Sequence, residues 1–296
     1  MSARPEFYAS HGPMTNPWEH AGLLEDLPAD VSSLTEVVQG LVIHRDLAGL
    51  YGVDLSDERK QDVELRQVAP LLARIRELED RPLTEPRPYE KRLCGTCRDF
   101  TSLTVALLRH TGVPARARCG FGAYFNPGSL EDHWVVEYWN ADEQRWQLVD
   151  AQIDELQRDA LRLNFDPLHV PRDQFLVAGL AWRQCHAGEL DPNRCGIFDL
   201  RGQWFVRANV VRDLAALNKM EMLPWDAWGL ADTGFELDSA LPTEDVALLK
   251  HVAKISEAGG PFEELRALYE GESRLRVPSV IRSFTASGPR EVALSA

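Results

Sequence analysis

Cys97, His133 and Asp150 are the side chains whose types, order and setting could carry nucleophilic catalysis. Cys97 stands directly before a helical pattern, Arg98 to His110, that Gly112 and Pro114 terminate. A thiol at a helix start sits at the positive end of the macrodipole, which favours the reactive thiolate. Gly95 lets the backbone approach closely in front of it. His133 opens HWVVEYW, an aromatic and β-branched run that predicts a strand, and Asp150 closes the partner run WQLVD. The polar stretch Asn140 to Arg145 joins the two as a turn. If Trp139 faces Trp146, then Val135 faces Asp150, and His133, two residues along, shares that face as a diagonal neighbour about 7–8 Å away. A slip of two residues sets His133 directly opposite Asp150, whereas a slip of one puts them on opposite faces. In such a set the imidazole takes the thiol proton, and the carboxylate fixes the tautomer and stabilises the imidazolium.

Other groups near the three have weaker claims. Cys94 and Cys97 form a CxxC, the signature of a redox pair or half a zinc site. Completing a four-cysteine site would require Cys185 and Cys195, whose spacing is too wide for a second CxxC, so no structural metal is expected. Cys94 is then a neighbour in the loop entering the helix, able to resolve an oxidised Cys97. Asp99, in the first helical turn, favours the helix but opposes thiolate formation, and Arg98 counters it. Asp132 is expected as a solvated turn residue, and Arg116 and Arg118, alternating with Ala115 and Ala117, as a solvent face. Trp225 and Trp228 are expected to bury area rather than line an acyl pocket. The Cys97 N–H is the expected oxyanion donor, with Tyr89 as an upstream candidate.

The elements that position these residues follow from patterning. Residues 1–88 form a helical extension. Val31 to Leu50 predicts one helix with Ser33 as cap, and Val63 to Leu78 another with a kink or restart at Pro70. Residues 89–155 form an α+β core in which Ala115 to Phe121 is a further strand. Residues 156–296 form a mostly helical region packed on the core. There, Asp173 is expected to cap a helix through Trp182, and a short strand Trp204 to Arg207 to precede a helix Asn209 to Met220. Helices over Thr243 to Ala258 and Pro261 to Tyr269 follow, with a loosely held tail from Arg274. The chain has 296 residues and a formal charge of −14, which argues against a nucleic-acid groove, because phosphate binding needs clustered cations. No apolar run approaches the ~20 residues of a membrane span. Five cysteines without framework spacing, and no leader-like start, predict a cytoplasmic protein.

The segments CGTCRDFTSLTVALLRHTGVPARARCGF, DHWVVEYWN and WQLVDAQID together resemble the transglutaminase-like superfamily. The resemblance rests on Cys97 and Asp99 before a leucine-rich helix ending Gly112 to Arg116, on His133 to Val136, and on Trp146 to Asp150, and covers roughly residues 89–155. It implies a papain-like architecture, with a nucleophile helix packed on an antiparallel sheet that delivers His and Asp. It also implies acyl chemistry on an amide-containing small molecule, peptide or protein, through a Cys97 thioester, with His133 as base then acid and Asp150 orienting it. No cofactor is implied, and no EF-hand-like loop asks for Ca²⁺. The superfamily also includes inactive members, so a catalytically silent binding or scaffold protein is the alternative.

Overall fold

The computed structural model describes residues 4–232, 241–257 and 261–294. Helices and strands mix through the chain, as the α+β class requires. Two compact units emerge, each drawn from separated stretches of sequence. One holds Pro5–Ala117 and Val135–Val170; the other holds Met1–Arg4, Arg118–Trp134 and Pro171–Ala296. Among the described residues no helix is long and apolar enough to cross a membrane.

In the first unit, α1 (Val31–Leu41) buries Leu34, Val37, Val38 and Leu41. Its cap is Asp30, not Ser33: the Asp30 carboxylate accepts the Ser33 N–H at 2.8 Å. The expected continuation to Leu50 does not form. Val42–His44 leave the helix as β1, which pairs in parallel with β2 (Leu93–Gly95), and a 3₁₀ turn spans Arg45–Tyr51. The apolar run there is continuous, and a partner strand some fifty residues away decides its conformation. Between these strands in sequence, α2 (Val68–Leu78) places Pro70 in its first turn, where its missing N–H costs no helical bond; a separate 3₁₀ turn covers Arg59–Glu64. The next helix, α3 (Cys97–His110), is buried from Cys97 to Arg109 and packs against α1. Two strands, β3 (Ala115–Gly122) and β4 (Leu130–Asn140), begin in one unit and end in the other. β4 pairs antiparallel with β5 (Arg145–Val149), and Trp139 lies opposite Trp146, the first of the registers considered. α4 (Glu155–Leu161) follows, capped by Asp154. Arg116 is no solvent residue. It is buried, donates to Glu137 at 2.7 Å, and lies 3.9 Å over the Trp146 ring.

In the second unit, Gly120–Gly122 of β3 pair antiparallel with β6 (Phe175–Val177). A Cβ at Gly120 would lie 2.2 Å from the Leu176 carbonyl oxygen, so only glycine permits this pairing. The expected Asp173-capped helix is therefore split: its first apolar residues are β6, and α5 runs over Ala178–Ala187. β7 (Cys195–Ile197) and β8 (Leu200–Arg201) form a hairpin, and β7 pairs in parallel with the start of β4, Leu130 opposite Cys195. The pairings are thus mixed rather than purely antiparallel, because the long connection through α4 and α5 brings the chain back in the same direction. The expected strand at Trp204 to Arg207 belongs instead to α6 (Gln203–Leu217), a single helix buried on all sides from Phe205 onward. Arg118 is fully buried, and its guanidinium makes two bonds to Asp213 of α6, at 2.9 and 3.0 Å. The PWDAWG loop contains β9 (Asp226–Ala227), and Trp228 is buried with its Nε1–H donated to Leu275 O. α7 (Thr243–Glu257) ends where Ala258 falls outside the described residues, and α8 covers Phe262–Gly271. The tail is not loose: β10 (Val280–Thr285) and β11 (Gly288–Ala293) form a hairpin whose first strand pairs with β9.

Candidate active site

Cys97 is the first residue of α3, at the positive end of fourteen aligned peptide units, and is 7% exposed. The approach to it is set by Asp99. That carboxylate turns back to accept the Thr96 N–H at 2.8 Å and the Thr96 hydroxyl at 3.2 Å, the reverse half of a capping box. Arg98 donates to the same carboxylate at 3.0 Å and also to the Arg66 carbonyl. Asp99 and Arg98 are both fully buried, so the negative charge near the thiol has a matched cation beside it. Burial pushes the Asp99 carboxyl up from its ordinary value, and Arg98 works the other way. Gly95 leaves room for two neighbouring side chains: a Cβ there would lie 2.8 Å from Val42 Cγ1 and 3.1 Å from Asp99 Cβ. Cys94 lies on β2 and is fully buried. Burial, with Asp62 adding to it, pushes its thiol up to about 12, so it stays protonated at neutral pH.

Asp150 follows β5 directly. Its N–H donates to Pro167 O at 2.8 Å, and its Oδ1 accepts the Gln152 N–H at 3.1 Å. A polar chain runs on from there: Gln152 donates to Gln157, Gln157 to the Tyr51 hydroxyl, and Tyr51 to Asp154, each at 2.8–3.0 Å. Continuing the observed Val136–Val149 pairing by one step sets Val135 opposite Asp150. Asp150 also lines a cleft of about 750 Å³ with Gln39, Tyr89, Arg92 and Asp154. The Arg92 guanidinium lies 4.2 Å over the Tyr89 ring. Tyr89 is thus engaged in stacking on a 3₁₀ turn.

His133 lies on β4 in the other unit, 3% exposed. Three aromatic rings meet its imidazole edge-on: Phe125 at 4.7 Å, Tyr124 at 6.0 Å and Phe175 at 6.4 Å between centroids. A Cβ at Gly122 would reach within 2.7 Å of the Phe125 ring, so the absence of a side chain there admits one wall of this cage. Asp132 is not a solvated turn residue. It is buried and accepts from Asn209 at 2.7 Å, and Arg212 in turn donates to Asn209 at 3.1 Å. Burial pushes the Asp132 carboxyl up, and the Asn209 bond opposes that.

Cys97 and Asp150 therefore belong to the first unit and His133 to the second. Sequence reasoning missed the aromatic cage, the Asn209–Arg212 support and the Gln152–Gln157–Tyr51 chain. The Tyr124-Phe125 pair in the β3–β4 loop was a visible signal for the cage, whereas the other partners come from elements far away in sequence. Among the described residues no cluster of three or more potential metal ligands occurs.

No curated protein matches this chain. Among solved structures, a candidate cysteine protease from Cytophaga hutchinsonii is similar at 16% identity with a TM-score of 0.36. That alignment covers 60% of this chain and 46% of the other, so this chain spans less than half of that structure. Residues 79–151, the segment that holds Cys97, His133 and Asp150, match the family model of the transglutaminase-like superfamily.

Proposed function

We propose that this chain is an enzyme performing thiol-dependent acyl chemistry on an amide, with Cys97 as nucleophile, His133 as general base and then acid, and Asp150 orienting the imidazole. The Cys97 sulfur attacks the amide carbonyl as its proton passes to His133. The C–N bond then breaks, the leaving amine takes that proton, and a thioester remains. Water or an amine, deprotonated by His133, attacks the thioester and releases Cys97. The observation that carries this reading is Cys97 at the first position of α3, inside the segment that matches the superfamily. The observed β4–β5 register adds to it: strand alternation gives His133 the face of Val135, the residue brought opposite Asp150. Five free thiols and no disulfide among the described residues support a reducing compartment such as the cytoplasm.

The test is intact-mass analysis of the full chain after incubation with a library of amides, with and without a primary amine. An acyl adduct on the Cys97 peptide is expected, absent from Cys97→Ala, and the added amine shows whether it or water resolves the thioester. Turnover that persists in Cys97→Ala overturns the reading, as does folded wild-type protein inert to the whole library.

A further inference from the structure

Arg207 differs from the other buried arginines of this chain. Arg87, Arg98, Arg109, Arg116, Arg118 and Arg212 each donate to at least one carbonyl, carboxylate or amide oxygen. Arg207, in the second turn of α6, is 6% exposed, yet it makes no hydrogen bond or ion pair with any described residue. Its Nε is sealed from solvent without an acceptor. One helical turn earlier, Gln203 Nε2 is a second sealed donor without an acceptor. Residues four apart share a helix face, and helical side chains lean toward the N-terminus, so the Arg207 side chain runs over Gln203. At about 100° per residue, that face is opposite the one carrying Phe205, which meets Phe121 of β3, and Asn209, which bonds Asp132 of β4.

The surroundings do not supply what the two donors lack. α7 and the 3₁₀ turn Gly229–Ala231 pack on α6, all within the second unit. They bring Asp245 and Asp232 within electrostatic reach of Arg207, and neither bonds it. Each is engaged by another arginine: Asp232 by Arg282 at 3.1 Å, and Asp245 by Arg274 at 2.6 Å. Burial pushes the Arg207 guanidinium down from its ordinary value, and the two carboxylates work the other way. A guanidinium taken out of water without a partner is among the costliest arrangements a fold can hold, so buried charges are paired.

We propose that Arg207 and Gln203 form a binding site for a small monocarboxylate, sharing no residue with the proposed catalytic set. A carboxylate offers two oxygens that match the guanidinium fork, and it leaves lone pairs for the Gln203 Nε2–H. Its single negative charge is balanced by Arg207 alone. A phosphate dianion would bring a second charge toward Asp232 and Asp245, whose arginines are already engaged. Water supplies acceptors but no countercharge, and that difference is what the experiment reads.

The full-length protein is melted near neutral pH in sodium acetate, sodium chloride and sodium phosphate at equal ionic strength. Acetate is expected to raise the melting temperature saturably, by about 2–4 °C over chloride at several times its Kd, with no larger rise in phosphate. Arg207→Met loses the acetate response and in chloride melts no lower than wild type, because it removes an unpaired buried charge rather than a contact. Arg207→Lys, which keeps the charge but not the fork, and Gln203→Ala respond more weakly than wild type. The NMR line of ¹³C-labelled acetate broadens with wild type and stays sharp with Arg207→Met. Equal melting in acetate and chloride overturns the proposal and leaves water as the partner. So does an acetate response that survives in Arg207→Met, or a larger response to phosphate. An Arg207→Met variant that melts well below wild type in chloride also overturns it, since Arg207 is then already held by the protein.

Discussion

Asp150 Oδ1 accepts the Gln152 N–H, and in the proposed mechanism the same carboxylate orients the His133 imidazole. Asp150→Asn keeps the first bond through its own Oδ1 but presents an N–H₂ to the ring and favours the wrong tautomer. In a serine triad that swap costs about 10⁴-fold. A thiol depends less on its base, so turnover is expected to fall by about 10²–10³-fold, or ~3–4 kcal/mol, with the melting temperature nearly unchanged. A fully active variant removes Asp150 from the mechanism. Cys94 supports a second prediction at this scale. Its thiol is raised to about 12 from 9.0, so the stability it gives by staying protonated is complete below about pH 9 and lost as pH rises toward 12. Thermal melts of wild type should decline more steeply between pH 9 and 11 than those of Cys94→Ala. Identical slopes would show that Cys94 does not titrate with unfolding.

At the scale of elements, β3 is the strand most altered by its surroundings. Its small residues, Ala115, Ala117, Gly120 and Gly122, look weak by propensity, yet all eight of its positions are buried. Gly120→Ala forces a Cβ onto the Leu176 carbonyl, so the β3–β6 pairing must open; a loss of about 1–3 kcal/mol or more, read from denaturant unfolding, is expected. Arg118 makes the complementary case. Arg118→Met strands the buried Asp213 carboxylate and should cost about 3–5 kcal/mol, while the double variant with Asp213→Leu should recover much of it. A double variant as unstable as the single would show that the Asp213 bond to the Cys119 N–H matters more than the ion pair. The alternation of Ala and Arg was visible in the sequence, but the partners of the arginines were not, because Glu137 and Asp213 lie 21 and 95 residues away. The helix expected from Asn209 is there, but the first turns of α6, Gln203 to Ala208, were read as a strand for a related reason: a helix buried on every side has no solvent-facing stripe, so its apolar residues show no clear 3.6 period.

For the whole molecule, both compact units are discontinuous in sequence. The segment 89–155 holds the residues proposed for catalysis but lacks α1 for α3, β6 for β3 and β7 for β4. Expressed alone, it should show the circular dichroism of an unfolded chain; a cooperative thermal transition would contradict this. The charge of −14 has its own consequence, since a polyanion is repelled by phosphate backbones. Duplex DNA at low salt should show no mobility shift with this protein, and a salt-sensitive shift would reveal a cationic groove that composition conceals.

Around Cys97, the α3 helix and the β4–β5 hairpin were legible in the sequence, but not the hairpin's register, which the structure sets with Trp139 opposite Trp146. Each depends on neighbours within about twenty residues, on caps, breakers and aromatic pairs that act at short range. Only the fold settles that helix gives way to strand at Val42, that strand gives way to helix after Val177, and that Trp204 to Arg207 is helical, because periodicity cannot separate a buried strand from a buried helix. It also decided the fate of the polar residues read as solvated. Asp132, Arg116 and Arg118 are buried because distant elements supply the hydrogen bonds and charges that make burial tolerable, and no local pattern records such partners.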